Sequence, residues 1–218
     1  MSDVFIVGGS GKVARRLIAQ LSARGHTVRA LHRDPAQATD LQALGATPVS
    51  GSLTDLSPAD LAGLMAGADV VVFSAGAGGK GGPETTRAID GRGLELAVAA
   101  AKEAGIRRFI LVSAFPDALR DGPRREGFET YIRVKKLADA HLVASGLDWA
   151  ILRPGTLTDD PGTGLVRAGA AIPYGSVPRD DVAAALVQLI EQDATRVIVE
   201  LTAGDEPVDR VVAKALAR

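Results

Sequence analysis

Tyr131 and Lys135 stand four residues apart in a stretch, 130–145, whose apolar positions recur with helical period. Residues so spaced share one helix face, which brings a phenol and an ammonium side by side. A free phenol, with a pKa of about 10, is a poor base at neutral pH. An ammonium one turn away favours the phenolate, and such a Tyr can pass a proton to or from a carbonyl or hydroxyl oxygen. Ser113 follows the apolar run 108–112 and stands at the end of a predicted strand, where its hydroxyl can orient a substrate oxygen. A second constellation lies upstream, in Gly8-Gly9-Ser10-Gly11-Lys12-Val13-Ala14. Its glycines permit a tight turn and let the backbone approach a pyrophosphate. Ala14 is small enough for the following helix to sit on a sheet, and that helix turns free N–H groups and a positive dipole end towards phosphates.

These residues need elements to hold them, and one rhythm supplies the elements. Short Val- and Ile-rich runs at 4–7, 27–31, 47–50, 69–73, 108–112, 149–152 and 196–201 read as strands. Helical stretches at 12–24, 88–104, 130–145, 180–192 and 208–216 alternate with them, and Gly25, Gly105 and Gly146 stand where helices end. Asp34-Pro35 is an N-cap followed by proline at the first helical position, and Gly45 closes that helix. Apolar runs without alternation are those of strands covered on both faces, so the fold reads as a doubly wound, mostly parallel α/β sheet. Such sheets bind ligands at the carboxyl ends of their strands. The Gly-rich run 76–82 reads as a lid or a backbone cradle there, and 115–128, with Pro116, Gly122, Pro123 and Gly127, as the loop leading to the helix of Tyr131. The Gly/Pro-rich segment 154–178 breaks the rhythm and is the expected wall of a substrate pocket.

Composition excludes several classes. A net charge of −1 over 218 residues, with no basic run, argues against nucleic-acid binding, and 4% aromatics against a base-stacking platform. The absence of cysteine removes disulfides, thiolate metal sites and a Cys nucleophile together. His26, His32 and His141 have no metal-ligand spacing and read as surface or boundary residues, so no metal is expected. Asp159-Asp160 reads as solvated loop charge, and the 130–145 helix as core-facing rather than membrane-bound. No apolar run reaches the ~18–20 residues of a membrane span, and the first residues do not resemble a signal peptide. One 218-residue domain is expected, cytoplasmic, a monomer or homodimer, acting on a small-molecule substrate with no nucleic-acid or membrane partner.

The second strand selects the nucleotide. An NAD site usually ends that strand in Asp or Glu, for the ribose hydroxyls. Here it ends Leu31-His32-Arg33, and Asp34 has a competing task as N-cap. Arg33 can fork onto a 2′-phosphate and Lys12 adds charge nearby, so NADP is expected over NAD.

Taken together, these motifs resemble the atypical short-chain dehydrogenase/reductases of the NAD(P)H-binding, NmrA-like type. The chain is most similar to the small bacterial members called NAD-dependent epimerase/dehydratases. The markers are Gly8-x-x-Gly11-x-x-Ala14, the glycine loop 75–83, Asp90-x-x-Gly93, Phe109-Ile110-Leu111-Val112-Ser113, Tyr131-x-x-x-Lys135 and Leu152-Arg153-Pro154-Gly155. They span nearly the whole chain and specify the superfamily, not a substrate. The resemblance implies a Rossmann fold of strand order 3-2-1-4-5-6 with a possible added strand. It implies that Gly8, Ser10, Gly11, Lys12 and Val13 hold the pyrophosphate and that Arg33 reads the adenosine phosphate. Ser52 and Leu53 would flank the adenine, Ala75 and Gly76 the ribose, and Pro154 and Gly155 the nicotinamide. Lys135 would bond the nicotinamide ribose while Ser113, Tyr131 and Lys135 form the catalytic set. Two residues depart from the pattern: Ser52 stands where the family commonly has Asp, and Ala14 where it has a third glycine.

The implied function is an NADP-dependent oxidoreductase or epimerase that moves hydride between nicotinamide and a small carbonyl or hydroxyl compound, with Tyr131 as acid/base. Two alternatives remain open: a flavin or quinone reductase using NADPH, and a non-catalytic NADP(H) sensor with a protein partner. Only about 60 residues follow Pro154, which supplies a dedicated sugar-nucleotide site poorly.

Overall fold

In a computed structural model, which describes residues 1–79, 81–116, 118 and 126–217, the chain opens on β1 (Asp3–Val7). Val4, Phe5, Ile6 and Val7 are all fully buried, so the strand is covered on both faces. The chain continues through α1 (Lys12–Ala23), β2 (Thr27–His32), a 3-10 turn at Pro35–Gln37, α2 (Ala38–Ala43) and β3 (Thr47–Ser50). Asp34 caps the 3-10 turn, its carboxylate accepting the Ala36 N–H at 3.0 Å. The sequence rhythm does not predict α3 (Pro58–Met65), eight residues begun by a capping box in which Ser57 and Asp60 satisfy each other's backbone N–H groups.

β4 (Val70–Phe73) leads to the short α4 (Gly82–Thr86), a π-helical turn (Arg87–Arg92) and α5 (Gly93–Glu103). The expected 88–104 helix thus forms, but its first turn is wound wider. β5 (Arg108–Val112) is followed by α6 (Glu126–Ala144) and β6 (Asp148–Pro154). Most of the 115–128 loop that precedes Tyr131 in sequence lies outside the described residues, as does Lys80 of the glycine loop. After β6 come β7 (Thr156–Thr158), β8 (Leu165–Gly169), β9 (Ser176–Pro178), α7 (Arg179–Glu191), β10 (Val197–Ala203), β11 (Glu206–Pro207) and α8 (Val208–Leu216).

Among the described residues the main sheet has nine strands in the order β11-β8-β10-β6-β5-β4-β1-β2-β3. The expected 3-2-1-4-5-6 series is therefore present and wholly parallel, and β10 adds to β6 in parallel. β8 and β11 then pair antiparallel. Within the 154–178 segment β8 extends the sheet, while β7 and β9 pair apart from it. Each outermost strand holds a proline, Pro48 in β3 and Pro207 in β11.

Alternate strand residues feed two cores. Val4 and Ile6 pack with α1, α7 and α8, whereas Phe5 and Val7 pack with α3, α5 and α6. Each such fully buried side chain contributes ~1.5–3 kcal/mol in removal from water. These two layers fix the sheet, and the carboxyl ends of β1, β2, β4, β5 and β6 gather the loops that carry the candidate residues. No helix among the described residues is long and apolar enough to cross a membrane.

Candidate functional site

The turn after β1 is built from glycine by contact. Gly8 has φ of 87°, and a Cβ there would lie 2.6 Å from the Ala75 backbone; one on Gly9 would lie 2.6 Å from the Ala30 methyl. Only glycine lets the loops after β1 and β4 come this close. Gly11 begins α1 in extended conformation with no side chain capping the first turn, unlike α3. Ser10, Lys12 and Val13 stand around that open end, whose N–H groups and dipole favour an anion. A cradle that a Cβ would fill, at an uncapped helix start, fits a dinucleotide pyrophosphate.

The Lys12 side chain is already engaged. Its Nζ lies 2.5 Å from the Asp159 carboxylate, which also pairs with Arg179 at 2.9 Å and stands 3.8 Å from Arg16. Asp159, a solvent-exposed loop charge as expected, also joins the loop after β7 to the start of α1. The three cations around it, led by the Lys12 hydrogen bond, hold its carboxyl below the usual range. Arg33 follows β2, exposed, and has no ion pair among the described residues. Gly51 N–H donates to the His32 carbonyl at 2.8 Å, which sets the end of β3, and so Ser52, beside Arg33. Ser52 spends its hydroxyl on Thr54 at 2.8 Å. Leu53 lies against Gly93 and lines a cavity of about 300 Å³ with Thr54, Leu56, Ala88, Arg92 and Leu96.

At the ends of β4 and β5 the site turns inward. Lys135 is 4% exposed, and its Nζ donates to the Val112 carbonyl at 2.8 Å, placing it next to Ser113. Its counter-charge is Asp90, 2% exposed, at 3.7 Å. The same carboxylate accepts the Ala77 N–H at 2.9 Å and sits against Gly76. Burial pushes the Lys135 ammonium down, and Asp90 and Asp139 partly offset this. The Tyr131 phenol is pushed up, first by burial and then by the Asp90 and Asp139 carboxylates. That direction is opposite to the phenolate-favouring effect expected of Lys135: two buried carboxylates and the loss of water outweigh one partly paired ammonium. Among the described residues the Ser113 hydroxyl is buried without a hydrogen-bond partner, so Ser113 and Tyr131 are not bonded to one another.

Beyond β6, Gly155 passes so close to Gly175 that a Cβ would meet its carbonyl oxygen at 2.0 Å, and Pro154 precedes it at the strand end. The next residue, Thr156, shares a hydrogen bond with Tyr174 Oη at 2.6 Å. The Tyr174 ring packs edge-on to Phe115, centroids 5.5 Å apart, so the two aromatics bridge the ends of β5 and β6. Sequence reasoning missed this pair, and no local signal joins residues 59 apart. It also left Asp90 without a role, although Asp90, Gly93, Leu94 and Ala97 share the buried side of their helix. His32 is a correction: it is buried, 6% exposed, and its Nδ1 lies 3.0 Å from the Asp34 carbonyl, because the last residue of β2 faces inward and holds the turn. No cluster of metal ligands is present among the described residues.

Comparison with known proteins follows the same lines. The model of the family described as NAD(P)H-binding matches residues 8–193. A Bacillus subtilis protein named as an uncharacterized sugar epimerase is 37% identical over 213 residues, covering 97% of this chain and 99% of its own length. Among solved structures, a Bacillus halodurans protein named for a candidate NAD-dependent epimerase/dehydratase activity superposes with a TM-score of 0.89. It is 34% identical and covers 98% of this chain and 100% of its own. The oxidoreductase ylbE of Lactococcus lactis superposes with a TM-score of 0.86 at 25% identity, covering 99% and 97%.

Proposed function

We propose a reductase function from one premise: the chain belongs to the NAD(P)H-binding family. The reaction is reduction of a small carbonyl compound with NADPH. The observation that carries the reading is the buried, unpartnered Ser113 hydroxyl, which stands beside Lys135 at the carboxyl edge of β5. A buried hydroxyl without a partner is costly to keep unless something else bonds it, and an acceptor oxygen would.

The roles follow from the chemistry. The glycine turn with Ser10, Lys12 and Val13 would seat the pyrophosphate, and Ala75 and Gly76 would line the ribose. Leu53 and its cavity, with Ser52, would take the adenine. Arg33 would fork onto the 2′-phosphate. The NADP reading is supported by Asp34, whose carboxylate is committed to the Ala36 N–H rather than free for ribose hydroxyls. Pro154 and Gly155 would approach the nicotinamide, and the bound cofactor supplies the hydride. Ser113 orients the acceptor oxygen, and Lys135 faces the ribose. Tyr131 gives its proton to that oxygen. The raised phenol stays protonated at neutral pH, which is the form that delivers a proton in reduction. The sugar-epimerase name of a relative is less well supported here, because β8, β10 and β11 spend much of the chain after β6 on the sheet.

A second reading has its own observation. Tyr174, exposed and packed edge-on to the buried Phe115, offers an aromatic face on the side of Gly155, which suits a planar flavin or quinone that takes hydride directly.

The test is a titration with NADPH and NADH, then NADPH oxidation with aldehyde, ketone, flavin and quinone panels, in wild type and Tyr131→Phe. The carbonyl reading expects turnover that Tyr131→Phe lowers about 10²–10⁴-fold with NADPH affinity kept. Flavin or quinone turnover untouched by Tyr131→Phe selects the second reading. NADPH binding without turnover on any panel overturns both.

A further inference from the structure

We propose that Asp90 is a positioning residue: its one carboxylate ties the backbone of the glycine loop after β4 to the ammonium of Lys135. Seating a nucleotide against residues 75–77 and placing the polar groups of α6 then depend on the same side chain. The inference rests on the cofactor placement above and deepens it.

Three independent features converge on Asp90. The first is its backbone. Asp90 sits within the π-helical turn Arg87–Arg92, the one wide turn in an otherwise regular helical run. A π turn shifts side chains off the α-helical register, and such turns recur at functional sites. The second is its pair of partners. One oxygen accepts the Ala77 N–H at 2.9 Å and the other stands 3.7 Å from Lys135 Nζ. Lys135 in turn holds the Val112 carbonyl, so the chain of contacts runs from the β4 loop through Asp90 and Lys135 to the residue preceding Ser113. The third is Gly76. A Cβ there would lie 3.0 Å from the Asp90 carboxylate, so the loop is glycine where the carboxylate must come close.

The electrostatics favour a role for the charge itself. A buried ammonium needs a counter-charge. Two carboxylates act on Lys135 and Tyr131, namely Asp90 from the π turn and Asp139 from α6. Asp139 is already committed to Arg153 at 2.9 Å, and Glu200 stands on the far side of that guanidinium at 4.0 Å. Asp90 is therefore the carboxylate left to Lys135.

The test uses wild type, Asp90→Asn, Asp90→Ala and Gly76→Ala. Each is titrated with NADPH by fluorescence, and without nucleotide the Lys135 ¹³Cε signal is followed against pH. Asp90→Ala and Gly76→Ala are each expected to weaken NADPH about tenfold, the worth of one lost charge-assisted hydrogen bond. Asp90→Asn keeps an acceptor for Ala77 and is expected to weaken NADPH less than about threefold. It should nonetheless lower the pH at which Lys135 loses its proton by about one unit. NADPH affinity within about twofold of wild type in both Asp90→Ala and Gly76→Ala overturns the proposal. So does an unmoved Lys135 titration in Asp90→Asn. Should Asp90→Ala fail to fold, the other two variants still decide. Wild type that binds NADPH but reduces no acceptor refutes the reductase reading alone and leaves this test standing. Wild type that binds no NADPH overturns both.

Discussion

The Tyr131 phenol is drawn away from water near two carboxylates, and its proton has consequences for stability as well as chemistry. The folded phenol ionises above the ordinary value of about 10, so on raising pH the unfolded chain loses that proton first. The stability it contributes is fully present below about pH 10 and is lost as pH rises beyond. Lys135 acts in the other sense: burial depresses its ammonium, so stability rises with pH in the window below its ordinary value of about 10.5. Melting temperatures of wild type and Tyr131→Phe across pH 9–11 separate the two, with wild type expected to fall more steeply above pH 10. Arg33→Ala is expected to weaken NADPH at least about tenfold while leaving NADH within about twofold, the signature of a lost phosphate fork. An unchanged NADPH preference in that titration would refute the reading of strand two. At this scale the sequence shows which residues have chemistry but not their partners. Lys135 does reach the end of β5 beside Ser113, and its helical spacing from Tyr131 was legible. Lys12's hold on Asp159, 147 positions away, was not, and neither was the buried pair of Lys135 with Asp90.

Among the elements, α1 and α3 differ in how they begin, one open and one closed by side chains. α3 closes its first turn with Ser57 and Asp60, and Arg29 collects the Leu64, Met65 and Ala66 carbonyls at its other end. α1 starts on glycine with its first turn uncapped. Ser57→Ala is expected to cost about 1 kcal/mol and to leave NADPH binding unchanged, measured by urea denaturation beside a binding titration. The strands were legible because buried parallel strands are continuous apolar runs, and the helices closed by Gly25, Gly45, Gly105 and Gly146 because each glycine takes a positive φ. α3 escaped because eight residues interrupted by Gly63 give a weak period. The π turn escaped because one inserted residue leaves the apolar pattern of 88–104 nearly intact.

For the whole molecule, the 3-2-1-4-5-6 order was legible from strands alternating with helices. The far side was not, because β8 and β11 are short and lie in Gly/Pro-rich sequence whose pairing with β10 is antiparallel and non-local. The finished sheet has two outer strands, of four and two residues, each carrying a proline. A proline has no N–H to lend, so neither rim presents a full row of donors to a strand from another chain. Pro48→Val restores a donor to β3 and is expected to hasten the rise of light scattering at high protein concentration, with little change in NADPH affinity. A scattering curve that overlays wild type would remove the role assigned to that proline. With both rims short and each missing a donor, the nine-stranded ladder of the described residues makes a poor template for a strand arriving from another copy.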